Sequence, residues 1–116
     1  MVLGKDFKTY FPPIEEKYWS HFIRGVFDGD GCISIYKSGQ PMFSITGNGT
    51  FIKQIQDILI SKCNLSANLL RPHANNLITK TLAFGGKKQI KRIRDFLYFE
   101  ENGFAIERKR IKIFNL

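Results

Sequence analysis

The sequence predicts an α+β fold, with one antiparallel sheet and helices covering one of its faces. Three observations predict it. Four short segments alternate apolar and polar residues and fall into two hairpin pairs. Segments with helical spacing lie before, between and after the hairpins. The 116 residues, 43% of them hydrophobic, are enough for one core and too few for two domains.

Met1 to Pro13 reads as an arm or connector, closed by Pro12-Pro13, which no helix can run through. Residues 14–116 read as the single domain. Ile14 to Phe27 is expected as the first helix, since Ile14, Tyr18, Phe22 and Val26 share a face and Glu15 and Glu16 suit its first turn. The run Asp28-Gly29-Asp30-Gly31 is expected to end it. Cys32 to Lys37 alternates with Ile33 and Ile35 inward, Ser38 to Pro41 is a turn, and Met42 to Thr46 alternates with Phe43 and Ile45 inward. Asn48 or Thr50 caps a second helix over Phe51 to Cys63, with Ile52, Ile55 and Leu59 on its apolar stripe and Asn64 or Ser66 closing it. Residues 67–73 and 77–84 form the second hairpin around Asn75-Asn76. Gly85-Gly86 ends it, and Lys87 to Tyr98 is a third helix with Ile90, Ile93 and Leu97 inward and a basic outer side. A short helix is expected over 106–116. The order is α-β-β-α-β-β-α, plus that last helix. With helices on one face, the other face of the sheet is left polar, carrying Ser34, Tyr36, Ser44, Thr46, Thr79 and Thr81. Such a strand surface fits a DNA major groove.

The formal charge of +8 is unevenly distributed. Residues 1–58 hold six basic and six acidic side chains, while 59–116 hold twelve basic and four acidic. A basic half of this kind attracts a polyanion, although a solvated basic helix has the same composition. No apolar run is long enough to span a bilayer, and Lys5, Asp6 and Lys8 interrupt any signal-peptide core. No membrane partner is therefore expected, and an intracellular location is. Cys32 and Cys63 lie far apart without CxxC spacing, so they read as reduced, small apolar residues rather than zinc ligands.

Asp28-Gly29-Asp30-Gly31 puts two carboxylates at a helix end, where they oppose the dipole. A divalent cation would compensate, because hard cations take carboxylate oxygens. An ordinary Asp-Gly turn explains the same residues without a ligand. A calcium loop fits poorly, since Cys32 and Ile33 stand where a ligand and a glycine are required.

The longer stretch from His21 to Ile33 strongly resembles the LAGLIDADG homing endonuclease family. The nine-residue signature lies on Ile23 to Gly31. It matches at Gly25, Asp28, Asp30 and Gly31, with apolar matches at Ile23, Val26 and Phe27, while Arg24 and Gly29 replace its two alanines. The element order is also that family's, so the resemblance spans almost the whole chain. It implies a DNA-binding saddle made by the sheet, and a motif helix that packs on the same helix of a second copy through Phe22, Gly25, Val26, Asp28 and Gly29. It further implies a metal at Asp30, beside Gly29: Mg²⁺ or Mn²⁺ for cleavage, with Ca²⁺ binding without supporting it. Asp28 would then be structural. The family often adds a basic residue near the C-terminus, here Lys109 in preference to Arg108, and a polar residue at the end of the second strand. Gly47 occupies that strand position, which leaves Asn48 as its substitute or the site weakened. Ser34, Tyr36, Lys37, Ser44, Thr46, Arg71, Thr79, Lys80, Thr81 and Arg108 are the expected DNA contacts.

One signature implies a homodimer that cuts near-palindromic double-stranded DNA in the service of intron or intein mobility. The opening residues also resemble the connector before the second signature of two-signature members, so a second LAGLIDADG-containing half is the alternative partner. Two other functions stay open. One is a DNA- or RNA-binding module of the same fold that does not cut, such as a maturase or transcriptional regulator. The other is a partner-binding scaffold, suggested by the eleven phenylalanines.

Overall fold

The computed structural model describes residues 10–73, 76–98 and 113. A 3-10 turn at Glu16–Tyr18 leads into helix α1, Trp19–Asp30. Strands β1 (Gly31–Ile35) and β2 (Pro41–Asn48) follow, then helix α2 (Gly49–Cys63), strands β3 (Arg71–His73) and β4 (Asn76–Gly85), and helix α3 (Lys87–Leu97). The four strands form one antiparallel sheet in the order β1-β2-β4-β3. The fold is α+β, as the alternation and helical spacing predict.

Strand alternation places the core on one face of this sheet. Ile33, Phe43, Ile45, Leu82 and Phe84 are buried there against Ile23 and Phe27 of α1, Phe51, Ile52, Ile55 and Leu59 of α2, and Ile90, Ile93 and Leu97 of α3. Phe27 and Phe43 stack at 4.7 Å between centroids, joining the motif helix to the central strand. Ile35, expected inward beside Ile33, is instead 60% exposed, because it ends β1 at the turn where nothing covers it.

Helix α1 is displaced from its expected position at both ends. The chain from Ile14 is folded back, with Trp19 Nε1 donating to the Ile14 carbonyl at 3.2 Å, so regular helix starts only at Trp19. At the other end the helix runs through Asp28-Gly29-Asp30 rather than stopping there. It stops at Gly31, where an added Cβ would meet the ring and carbonyl of Phe27. That close approach, rather than a turn conformation, is what demands glycine.

Helix α2 is capped as expected. The Asn48 side chain accepts from the Thr50 amide at 3.0 Å, and Asn64 closes the helix in the left-handed region, at φ 53°. Strand β3 is shorter than expected. The chain before it is a loop tied down by side-chain amides, with Gln56 Nε2 donating to Asn68 Oδ1 at 2.6 Å and Asn68 Nδ2 donating to the Ala83 carbonyl at 2.8 Å. The loop's polar groups are therefore spent on contacts that a strand would make through its backbone. The helix expected over 106–116 lies outside the described residues, except for Ile113, which is helical and buried.

Candidate functional site

The site is set by where α1 ends. Gly31 pairs with Ile45, so Asp30 immediately precedes the sheet at the end where β2 runs on through Thr46, Gly47 and Asn48. The Asp30 carboxylate is exposed there, whereas Asp28, half a turn earlier, is buried at 8% exposure. The two aspartates of the motif thus have different surroundings. Asp28 accepts from the buried Tyr98 hydroxyl at 3.3 Å, and Arg24 lies over that tyrosine's ring at 5.8 Å. Asp30 faces solvent.

Gly25 and Gly29 are also exposed, and no atom lies within 4 Å of where a Cβ would stand at either. Four residues apart, they form a bare strip along one face of α1. Of the other residues expected on a paired-helix face, Val26 is buried in this chain's own core. Phe22 is half-buried against Phe11 and Phe51, at 4.9 and 6.1 Å between ring centroids. Both side chains are engaged within the chain.

The face of the sheet turned away from the helices is polar and built of small side chains. Register puts Cys32 opposite Ser44, Ser44 opposite Ala83, Thr46 opposite Thr81, Asn48 opposite Thr79, and Arg71 opposite Thr81. Thr46 and Thr81 share a hydrogen bond at 2.7 Å between hydroxyls. Ser34 and Ser44 are half-buried, Cys32 is exposed, and Tyr36 and Lys37 lie exposed just beyond β1. Cys32 therefore lines the polar face with Ser34, the side of the strand opposite Ile33, and its thiol is free. Arg71 Nη1 reaches the Tyr36 hydroxyl at 3.5 Å, although the two belong to opposite sides of the sheet. Small residues in the middle and long ones at the sides shape this face. Lys80 falls on the opposite face from Thr79 and Thr81, since it pairs with Gly47.

Lys80 belongs instead to a groove that the sequence did not reveal. Asn48, Gly49, Thr50, Lys53, Gln54, Leu70, Ile78 and Lys80 line it, at the same end of the sheet as Asp30. Gly49 is needed there, because a Cβ would come within 2.9 Å of Lys80 Cγ and 3.1 Å of the Ile78 carbonyl. The spacing of Lys53 and Lys80 in the chain carries no sign that they line one groove; the packing of α2 against β4 puts them there. A Cβ at Gly47 would stand 3.3 Å from Ile52 Cδ1, a tight contact to which the Ile52 side chain would have to yield. Lys109 and Arg108 lie outside the described residues.

Among the described residues no three His, Cys, Asp or Glu side chains gather to hold a metal, and no helix is long and apolar enough to cross a membrane. One described chain brings the exposed Asp30 carboxylate to this end of the sheet.

No family model and no curated protein matches the sequence, but solved structures do. The group I intron-encoded homing endonuclease I-CeuI, complexed with DNA, superimposes with a TM-score of 0.65 at 15% identity, over 90% of this chain and 54% of that one. I-LtrWI, a LAGLIDADG homing endonuclease bound to its target DNA, gives 0.59 at 18% identity, over 85% of this chain and 36% of that one. The homing endonuclease I-TnaI gives 0.56 at 18% identity, over 81% and 65%. The chain thus spans less than two thirds of each of these proteins. The likeness covers most of the chain, and the chain has the fold of the LAGLIDADG homing endonucleases.

Proposed function

We propose that two copies of this chain form a site-specific, metal-dependent endonuclease for double-stranded DNA. The carrying observation is the position of Asp30. It is an exposed carboxylate at the end of a helix whose Gly25–Gly29 face is bare, and it meets the sheet where the polar strand face begins. Pairing along the bare face would bring two such carboxylates together, one from each chain. Together they would suit Mg²⁺ or Mn²⁺, with Ca²⁺ as a non-supporting substitute. When bound, the metal lowers the pKa of a water and stabilises charge on the phosphate.

The chain's own residues account for the rest. Ser34, Ser44, Thr46, Thr79 and Thr81 offer hydroxyls to base edges and bridging waters, and Arg71, steadied by Tyr36, offers a forked donor. Lys37 supplies charge for the phosphate backbone at the hairpin turn. Lys80 lies at the same end of the sheet as Asp30 but on its helix side, beside Lys53, which is paired with Asp57; Lys109 stays the basic residue that the family resemblance implies. The fold's likeness to DNA-bound endonucleases supports this reading.

One observation favours a second reading, a module of the same fold that binds without cutting. Gly47 offers no side chain at the strand end, and the Asn48 amide oxygen is spent on the Thr50 amide. Selection from a randomised duplex library with Mg²⁺, sequencing cut and bound-but-uncut pools separately, decides between them. A cut near-palindrome is the expected result, and an enriched motif that is never cut would establish the second reading.

A further inference from the structure

Helix α3 buries Ile90, Ile93 and Leu97 and turns Lys87, Lys88, Lys91 and Arg92 outward. Lys87 and Lys91, like Lys88 and Arg92, are four residues apart, so like charges stand over one another on consecutive turns, an arrangement that destabilises a helix. The first turn holds no acid, and Gly86 gives no side-chain cap. Asp95, the helix's own acid, is taken by Arg94 at 3.0 Å. Of the four outward cations, Arg92 reaches the Asn64 carbonyl at 3.0 Å. No described acid forms an ion pair with the three lysines. Among the described residues, this helix face therefore concentrates cationic charge without an acidic counterpart.

This face is remote from the polar strand face. The core side of α3 packs on the core side of the sheet, so the sheet separates the lysines from Ser44, Thr46 and Thr81. A duplex lying on the strand face leaves the lysines uncovered. Single strands are held by bases stacked on exposed aromatic rings, and the outward face of α3 has none; Phe96 is half-buried against the core. A row of cations on a helix face without stacking groups suits the regular phosphate spacing of a duplex.

We infer that the outward face of α3 holds the backbone of a second segment of duplex DNA, without sequence preference, while the strand face holds the first. The inference rests on the reading of the strand face as a DNA surface. The protein thereby bridges two segments.

The test uses the full chain with one duplex fixed to a surface and a second, unrelated, labelled duplex in solution. The wild type captures the second duplex on the first. Lys87→Gln/Lys88→Gln/Lys91→Gln lowers that capture about tenfold or more and lessens its salt dependence by about three units of log–log slope. It leaves affinity for the fixed duplex within about twofold. Because the substitutions relieve like-charge repulsion, the variant melts no lower than the wild type. Capture unchanged in this variant, or absent in the wild type, overturns the inference. So does displacement of the labelled duplex by single-stranded RNA or an acidic polypeptide more readily than by duplex DNA. Ser44→Glu/Thr81→Glu separates the two readings: it abolishes capture but keeps a salt-sensitive, α3-dependent affinity for one duplex. If it instead binds and bridges as the wild type does, the strand-face reading fails.

Discussion

The Tyr98 hydroxyl donates to Asp28 Oδ1 at 3.3 Å in a buried setting, joining residues 70 apart in the chain. Arg24 completes the arrangement. It is 5% exposed, lies 5.8 Å over the Tyr98 ring, and donates to the Leu97 carbonyl at 3.3 Å, at the C-terminal end of α3. Three polar groups thus fasten α1 to the C-terminal end of α3. Because Asp28 accepts a hydrogen bond there, Tyr98→Phe should cost about 1–2 kcal/mol, the penalty for leaving a buried acceptor short of its donor. Urea denaturation monitored by Trp19 fluorescence would measure it.

Arg24 stands where the LAGLIDADG signature has alanine, yet truncation should not restore a family norm. Arg24→Ala would leave the Leu97 carbonyl and the Tyr98 ring without their partner and open a cavity beside them. The expected cost is about 3 kcal/mol, measured in the same denaturation experiment. In a double-mutant cycle, Arg24→Ala and Tyr98→Phe should be non-additive, since each removes part of one network.

The fold was legible because its signals are local. Alternation fixed the inward faces of Phe43 and Ile45, and spacing fixed those of Ile90, Ile93 and Leu97, all of them buried. The caps at Asn48 and Asn64 are likewise chemistry of single residues. What was not legible depends on neighbours distant in the chain. Position 31 takes glycine because Phe27 lies against it, and in the loop before β3 Asn68 is held by Gln56 and the Ala83 carbonyl. In the candidate site, Asp28 and Asp30 were visible as a motif, and the motif's resemblance gave them distinct roles. Their different burial follows from Tyr98, which nothing in the motif predicts. The Lys53–Lys80 groove was hidden for the same reason, since it arises from the packing of α2 against β4.

The two cysteines should differ sharply in reactivity. Burial pushes the Cys63 thiol up to about 12, because the thiolate cannot be solvated in the core, whereas Cys32 is exposed on the polar face. At pH 8 a maleimide should label the native protein once, at Cys32, and label it twice only after denaturation; mass spectrometry reads the count. The raised value also sets a direction for stability. The thiol is neutral in both states below its ordinary value of 9.0, so stability is unaffected there. Between 9 and about 12 the unfolded chain loses a proton that the native chain keeps, so this group's contribution falls as pH rises. Cys63→Ala should flatten that alkaline decline.

Substitution of the bare glycines should separate folding from pairing. Gly25 has open space at its Cβ position and is helical, so Gly25→Ala should stabilise the isolated chain by about 0.5–1 kcal/mol, the usual helix preference for alanine. Gly25→Leu should fold equally well, and if copies pair along this face it should hold them apart. Sedimentation equilibrium should then show a folded monomer where the wild type dimerises. A Gly25→Leu protein that still dimerises as the wild type does would remove the α1 face from the pairing model.

Asp30 decides whether the chain cuts. Its carboxylate is exposed, so Asp30→Asn removes charge without disturbing the core, and the melting temperature should stay within about 2 °C of wild type, as for surface substitutions generally. Affinity for the selected duplex should be kept or slightly raised, since one negative charge near phosphate is gone. Cleavage should fall by at least about 100-fold, because a neutral amide is a poor ligand for a hard cation and the metal would lose a charged oxygen from each chain. Chelation by EDTA should reproduce the effect in the wild type, cutting lost and binding kept. A gel assay run in parallel with a mobility-shift titration reads both quantities. If Asp30→Asn cuts as the wild type does, Asp30 is not the metal ligand. If binding falls together with cutting, the carboxylate serves the DNA complex and not the chemical step.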